Sequence, residues 1–276
     1  FRLLPEEVAQ YGFNLDDLPN TIRPYRIGRD LVQREEDKFV IDFFGYSELD
    51  AKQQHPVLYQ HLFIHVKPER DQNRRKTRRE NWWLFGENAP MFREASGGLS
   101  RYIATCRTAK HRLFTFLPAS TIPDAKIVAI ALEDAYFLGV LSCQIHVIWA
   151  MRTGAFLEDR PNYNHSDCFG KFPFPDATET QKARIRDLAE QLDAHRKRQQ
   201  ALHPKLTLTD MYNVLEKLRA GEPLTDKDKV IHEQGLVTIL KQLHDDLDTA
   251  VFDACGWPPD LTDEEILQRL VDLNAE

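Results

Sequence analysis

Phe39-Val40-Ile41-Asp42-Phe43 is an apolar run, interrupted only by Asp42 and rich in β-forming side chains, that predicts a strand. Just before it, the proline in Ile22-Arg23-Pro24-Tyr25 predicts a turn. Ser47 through Gln53 opens a helix, with Ser47 as N-cap and Asp50 three places on, and Pro56 to Lys67 continues as a second helical stretch. Arg101 to Ala104 and Leu113 to Leu117 predict two short strands, joined by the basic segment Arg107-Thr108-Ala109-Lys110-His111. Asp124 to Ala131 reads as strand or loop. From Glu133 to Met151 the spacing of Tyr136, Val140, Ile145 and Ile148 predicts one long buried helix. A loop follows from Arg152 to Gly170, then Phe172-Pro173-Phe174-Pro175, whose alternating prolines can continue neither a helix nor a central strand.

Beyond that point the pattern changes. Thr178 to Leu202 is a charged helix with Ile185, Leu188 and Leu192 on one face. Thr207 to Arg219 is a second, closed by Gly221 and Pro223; Thr225 to Cys255 holds one or two more, and Thr262-Asp263-Glu264-Glu265 is a capping box opening the last. The predicted fold class is α+β, or mixed α/β, over residues 1–176, followed over 177–276 by a small all-α domain whose first helix, 178–202, acts as linker to a helical bundle.

Composition adds bounds. With 276 residues, 42% hydrophobic and 29% charged, the chain is an ordinary globular protein of one large or two ordinary domains. The longest apolar patch, Ile127 to Leu132 and then Tyr136 to Ala150, is interrupted by Glu133, Asp134, Gln144 and His146, so no membrane span is expected. The chain opens at Phe1 with no basic n-region, which predicts no signal peptide and a fragment of a longer protein. Cys106, Cys143, Cys168 and Cys255 lack paired spacing, pointing away from disulfides and zinc and toward a reducing cytoplasm.

The net charge of −7 is unevenly distributed. Residues 1–176 hold 23 basic and 23 acidic residues, whereas 177–276 hold 13 and 20. Within the neutral part, 67–112 carries 12 basic and 5 acidic residues. A concentrated basic face can bind a polyanion despite net negative charge, because salt screens beyond about 8 Å; a solvated charged loop centred on Arg70 to Arg79 is the plainer reading. The doubled tryptophan of Asn81-Trp82-Trp83-Leu84-Phe85 sits in this basic stretch, and aromatics among cations suit nucleic acid. The alternative for Trp82 and Trp83 is packed support, since tryptophan carries a large apolar area.

Catalytic signatures are missing from the sequence. It holds no phosphate-binding loop, dinucleotide fingerprint, H-E-x-x-H or G-x-S-x-G. His55, His61 and His65 are spaced wrongly for one metal face. No constellation would run chemistry alone, and no metal is expected.

Several blocks, in order, resemble the target-recognition and C-terminal parts of MmeI-like (type IIL) restriction-modification enzymes. These single chains join a nuclease, an adenine-N6 DNA methyltransferase and a DNA reader. The blocks are Ile22 to Tyr25 with Phe39 to Phe43, Val66 to Arg70, Asn81 to Phe85, Arg101 to Phe116, Gln144 to Ala150 and Cys168 to Pro175; the tail from Leu208 through Trp257 to Leu270 is similar to that family's helical C-terminal domain. The resemblance implies that 1–176 is a DNA target-recognition domain of a bacterial, cytoplasmic defence system, with double-stranded DNA and the parent's methyltransferase domain as partners. The family's F-x-G-x-G-like methyl-donor motif and N-P-P-Y-type catalytic motif are both missing here. The chain thus resembles an excised recognition module, with no catalytic residue and no cofactor of its own, S-adenosylmethionine being expected in the methyltransferase domain.

A DNA reader needs phosphate contacts for register and base contacts for sequence. For phosphate the candidates are Arg74, Arg75, Lys76, Arg78 and Arg79, then Arg107, Lys110, His111 and Arg112, each alternatively a solvated cation or salt-bridge member. Glu158, Arg160 and Asn162 supply base-reading chemistry at alternate positions, which share one side of an extended segment. In the resembling family, alternating polar residues just before the F-P-x-P motif read bases, and these three fall there; an ordinary polar loop is the alternative. Two other functions stay open: a stand-alone nuclease using scattered acids and histidines, and an interaction or scaffolding module docking on a methyltransferase or nuclease partner through its acidic helical tail.

Overall fold

The structure, a computed structural model, describes residues 1–157 and 160–275, and of 155–157, 160 and 275 the backbone alone. Along the chain run β1 (Arg2–Leu3), α1 (Pro5–Gln10), β2 (Ile22–Arg26), α2 (Gly28–Val32), β3 (Phe39–Ile41), α3 (Glu48–Gln54), α4 (Pro56–His65), α5 (Lys67–Asp71), α6 (Lys76–Glu80) and α7 (Pro90–Ser96). Then come β4 (Arg101–Cys106), β5 (Thr115–Pro118), β6 (Ile122–Pro123), β7 (Ile127–Ile130), α8 (Ala135–Ser142), α9 (Gln144–Thr153), β8 (Ala155–Leu157), β9 (Arg160–Asn162) and a π-helical turn at His165–Phe169. The remainder is helical: α10 (Glu179–Leu202), α11 (Leu208–Ala220), α12 (Asp226–Gly235), α13 (Val237–Cys255) and α14 (Asp263–Ala275). The class is mixed α+β with a helical C-terminal part.

The chain divides into two compact units, the first being residues 1–26, 36–98 and 119–122. Its sheet runs β1-β3-β2-β6, with β3 antiparallel to both β1 and β2. Pro24 is therefore a strand residue, opposite Phe39, and the turn expected there is corrected. Tyr25 N donates to Lys38 O and Asp42 N to Thr21 O, so Pro24, at the intervening phase, turns its nitrogen away from β3 and costs that ladder no hydrogen bond. Ser47 caps α3 through the Asp50 amide at 3.1 Å, as its spacing predicts. Behind the sheet, Leu3, Ile41, Phe43, Leu58, Leu62, Trp82 and Trp83 form one apolar core. The Arg70–Arg79 stretch is not a plain loop, since α5 and α6 are two short helices within it.

The second unit holds residues 27–35, 99–118 and 123–276. Its sheet runs β5-β4-β7, antiparallel throughout, with Ile103 opposite both Phe116 and Ile130. The single helix expected over 133–151 is two helices, because Cys143 is extended (φ −77°, ψ 161°). Asp248, on α13, accepts from Gln144 N at 2.6 Å and so caps the new N-terminus. Gly139 lets α8 meet α10 at close range: a Cβ there would lie 2.6 Å from Ile185 Cγ2. The core continues past residue 176 without interruption, joining Tyr136, Val140, Trp149 and Phe172 to Ile185, Leu192, Met211, Leu240 and Leu247. The change of composition at 176 is thus not where compactness divides the chain. No helix among the described residues is long and apolar enough to cross a membrane.

Candidate nucleic-acid interface

The loop expected between Arg152 and Gly170 contains a hairpin. Strand β8 pairs antiparallel with β9, Ala155 opposite Asn162 and Leu157 opposite Arg160. Arg160 and Asn162 hold alternate positions of one strand. Glu158 lies outside the described residues, as does the Arg160 side chain. Asn162 is half-buried, and its Oδ1 meets no hydrogen-bond donor among the described residues.

What holds β9 in place was not foreseen. Asn162 bridges to Thr108, and Tyr163 N donates to Arg107 O at 2.6 Å, so the strand runs along the β4–β5 connection. Gly154 permits close approach on the other flank, where a Cβ would lie 2.5 Å from Asn162 O and 2.7 Å from Ala150 O. Tyr163 is buried, its hydroxyl 3.0 Å from His146 Nε2. Burial and the nearby Arg112 push the His146 pKa down to about 3, so the ring is neutral near neutral pH.

Arg112 corrects an expectation. It is buried, and its guanidinium donates to Thr105 Oγ1 (3.0 Å), Cys106 O and Pro161 O (3.2 Å) while lying over the Tyr163 ring. A group so enclosed cannot reach a phosphate. Its neighbours in sequence differ: Arg107 is exposed, whereas Lys110 and His111 are held by α11. Lys110 Nζ lies 2.6 Å from Asn213 Oδ1 and 3.0 Å from Glu216 Oε2, and His111 Nε2 lies 2.9 Å from Asn213 Oδ1. Lys110 also rims a polar cleft of about 490 Å³ along α11 and α12. There Lys110, Lys217 and Lys227 are matched by Asp210, Glu216, Glu222 and Asp228, so the cleft is no concentrated anion site.

In the other unit, Arg74, Arg75, Lys76 and Arg79 are exposed around α6. Arg75 and Arg78 both reach Glu87 Oε1, at 3.2 and 3.1 Å, and Lys76 pairs with Glu80 at 3.5 Å. Arg79 donates to the carbonyls of Asn73 and Arg74. Exposed pairs such as Arg75–Glu87 are worth at most about 1 kcal/mol, so these cations remain exchangeable for phosphate. Arg78 is half-buried, its guanidinium packed against Gly86. Trp82 and Trp83 are inside the core, donating from Nε1 to Glu48 Oε1 (3.1 Å) and Tyr46 O (3.0 Å). Neither ring is free to stack on a base.

A further buried network centres on Arg196, which donates to Phe114 O (2.6 Å), Tyr212 Oη (3.3 Å) and Asp193 Oδ1 (3.3 Å). Tyr212 Oη in turn lies 2.7 Å from His244 Nε2. Burial raises the Asp193 pKa, but Arg196 and Lys197 outweigh it and hold the carboxyl below its usual range. One signal of this was available: position 196 falls four residues after Leu192 on the apolar stripe of α10. No group of three or more His, Cys, Asp or Glu among the described residues could hold a metal ion.

Residues 3–176 match the family described as MmeI, target recognition domain. The whole chain is similar in fold to the Type IIL restriction-modification enzyme MmeI, solved in complex with DNA, with a TM-score of 0.73 and 17% identity. That match covers 100% of this chain and 33% of the other, so the chain spans about a third of that enzyme's length. No curated protein matches it.

Proposed function

The chain belongs to the MmeI target-recognition-domain family, and from that premise we propose that it is the sequence-reading part of a type IIL restriction-modification enzyme, recognising double-stranded DNA for a site-specific adenine-N6 methyltransferase. The family match over residues 3–176 carries this reading. The base-reading role falls to Glu158, Arg160 and Asn162, the last two at alternate positions of β9. Backbone contact falls to the exposed cations Arg74, Arg75, Lys76, Arg79 and Arg107. Methyl-donor binding, catalysis and any nuclease belong to the rest of the parent chain, in a bacterial cytoplasm, and this segment is no enzyme by itself.

Affinity of the full-length parent for a duplex, measured against salt concentration, tests the reading. Each phosphate contact contributes a slope of about −0.9 in log affinity against log salt. The expected result is a slope of several such contacts together with preference for one sequence. Salt-insensitive or absent duplex binding by a folded parent would favour the scaffolding alternative.

A further inference from the structure

We infer that Arg112 is a positioning residue for base recognition, fixing the strand that carries Arg160 and Asn162 against the connection that carries Arg107. The inference rests on the reading that β9 presents base-contacting side chains. Three observations lead to it. First, the Arg112 guanidinium spans two segments distant in sequence: it donates to Thr105 Oγ1 and Cys106 O at the end of β4, and to Pro161 O in β9. Second, backbone contacts extend that link, Tyr163 N to Arg107 O and Thr108 to Asn162, so a candidate phosphate contact and a candidate base contact sit on one small pairing. Third, the arrangement is costly. Arg112 is 7% exposed and, among the described residues, its hydrogen bonds all go to neutral oxygens. A buried charge without a carboxylate partner is expensive, and an apolar residue of similar volume would fill the space more cheaply. What the guanidinium adds is geometry: planar, rigidly forked donors that accept one placement of Pro161. A base-reading hydrogen bond is short and directional, so a strand free to shift by part of an ångström loses discrimination between bases before it loses contact with DNA.

The test is selection of binding sites from a randomised duplex pool by the full-length parent carrying R112M, R112K or T105V. R112M removes all the bonds and keeps the bulk; R112K keeps the charge and loses the fork; T105V removes one acceptor. For variants that still unfold cooperatively, the expected result is a drop of about tenfold in preference at one or more positions of the selected site. R112K is expected to fail to restore it, and the salt slope should stay at the wild-type value because no phosphate contact is lost. A folded R112M that selects the wild-type site with undiminished preference overturns the inference; if R112M does not fold, T105V decides in the same way. The paired variant E158K/R160D runs alongside. If it alters the selected site while R112M and T105V do not, the positioning role fails and the base-reading assignment stands. If it too selects the wild-type site, the base-reading assignment fails and the inference with it.

Discussion

Trp82 shows how a residue's surroundings decide its role. Its ring is 3% exposed, meets Tyr59 and Phe63 edge-on, and satisfies its one donor on Glu48. Trp82→Ala is expected to cost about 3–5 kcal/mol of stability, read as a lower denaturation midpoint, with little change in the duplex affinity of protein that remains folded. An unchanged midpoint with lost binding would move the ring to the DNA. The packed alternative for the tryptophans was legible from their apolar area alone. The division of labour among Arg107, Lys110, His111 and Arg112 was not, because four polar side chains in one short run look alike until the register of β4 and β5 turns one of them inward. The buried histidines give a pH signature. His146 and His244 are both pushed from 6.5 to about 3 by burial, with nearby arginines adding to the effect. Below about pH 6.5 the unfolded chain takes up protons that the folded one refuses, so their contribution, complete above that value, falls as pH falls toward 3. Asp248, raised by burial from 3.8 to about 6, works in the opposite sense, its contribution being complete below 3.8 and lost as pH rises through 6. The expected outcome is that neither imidazole titrates between about pH 7 and pH 5 when followed by NMR, unlike a free histidine near 6.5.

At the scale of elements, helix ends were readable and helix breaks were not. Ser47 and Thr262 cap helices as their spacing predicts, and Thr178, Thr207 and Thr225, read only as helix starts, are caps as well. The break at Cys143 escapes sequence because both sides are apolar with helical spacing, and the group that stabilises it, Asp248, lies 104 positions away. The hairpin of β8 and β9 is hidden for a related reason: two three-residue strands, the second with a proline at its centre, carry little β signal, and tertiary anchors supply what propensity does not. Close packing of α8 on α10 yields a direct check. Gly139→Val would drive a side chain into Ile185 and Ala189, with an expected loss of about 1–3 kcal/mol or more, measurable by chemical denaturation. Wild-type stability in that variant would mean the helices do not meet as described.

For the whole molecule, the change in composition at residue 176 and the division into compact units answer different questions. Charge and periodicity report local structure, whereas the core of the second unit forms from Tyr136, Trp149 and Phe172 together with α10, α11 and α13. The helical C-terminal part therefore shares a core with α8, α9 and Phe172, meets the sheet's core through Ala189 of α10, and holds Lys110 and His111 through Asn213 and Glu216. The central claim is that this chain chooses a DNA sequence, and that the segment before Phe172-Pro173-Phe174-Pro175 makes the choice. Its most direct test is to map modified adenines by sequencing, in DNA methylated by the full-length parent and by its E158K/R160D variant. The account predicts that the variant, still folded and active, methylates a site altered at one or two base pairs. An unchanged methylation site in an active variant would contradict it.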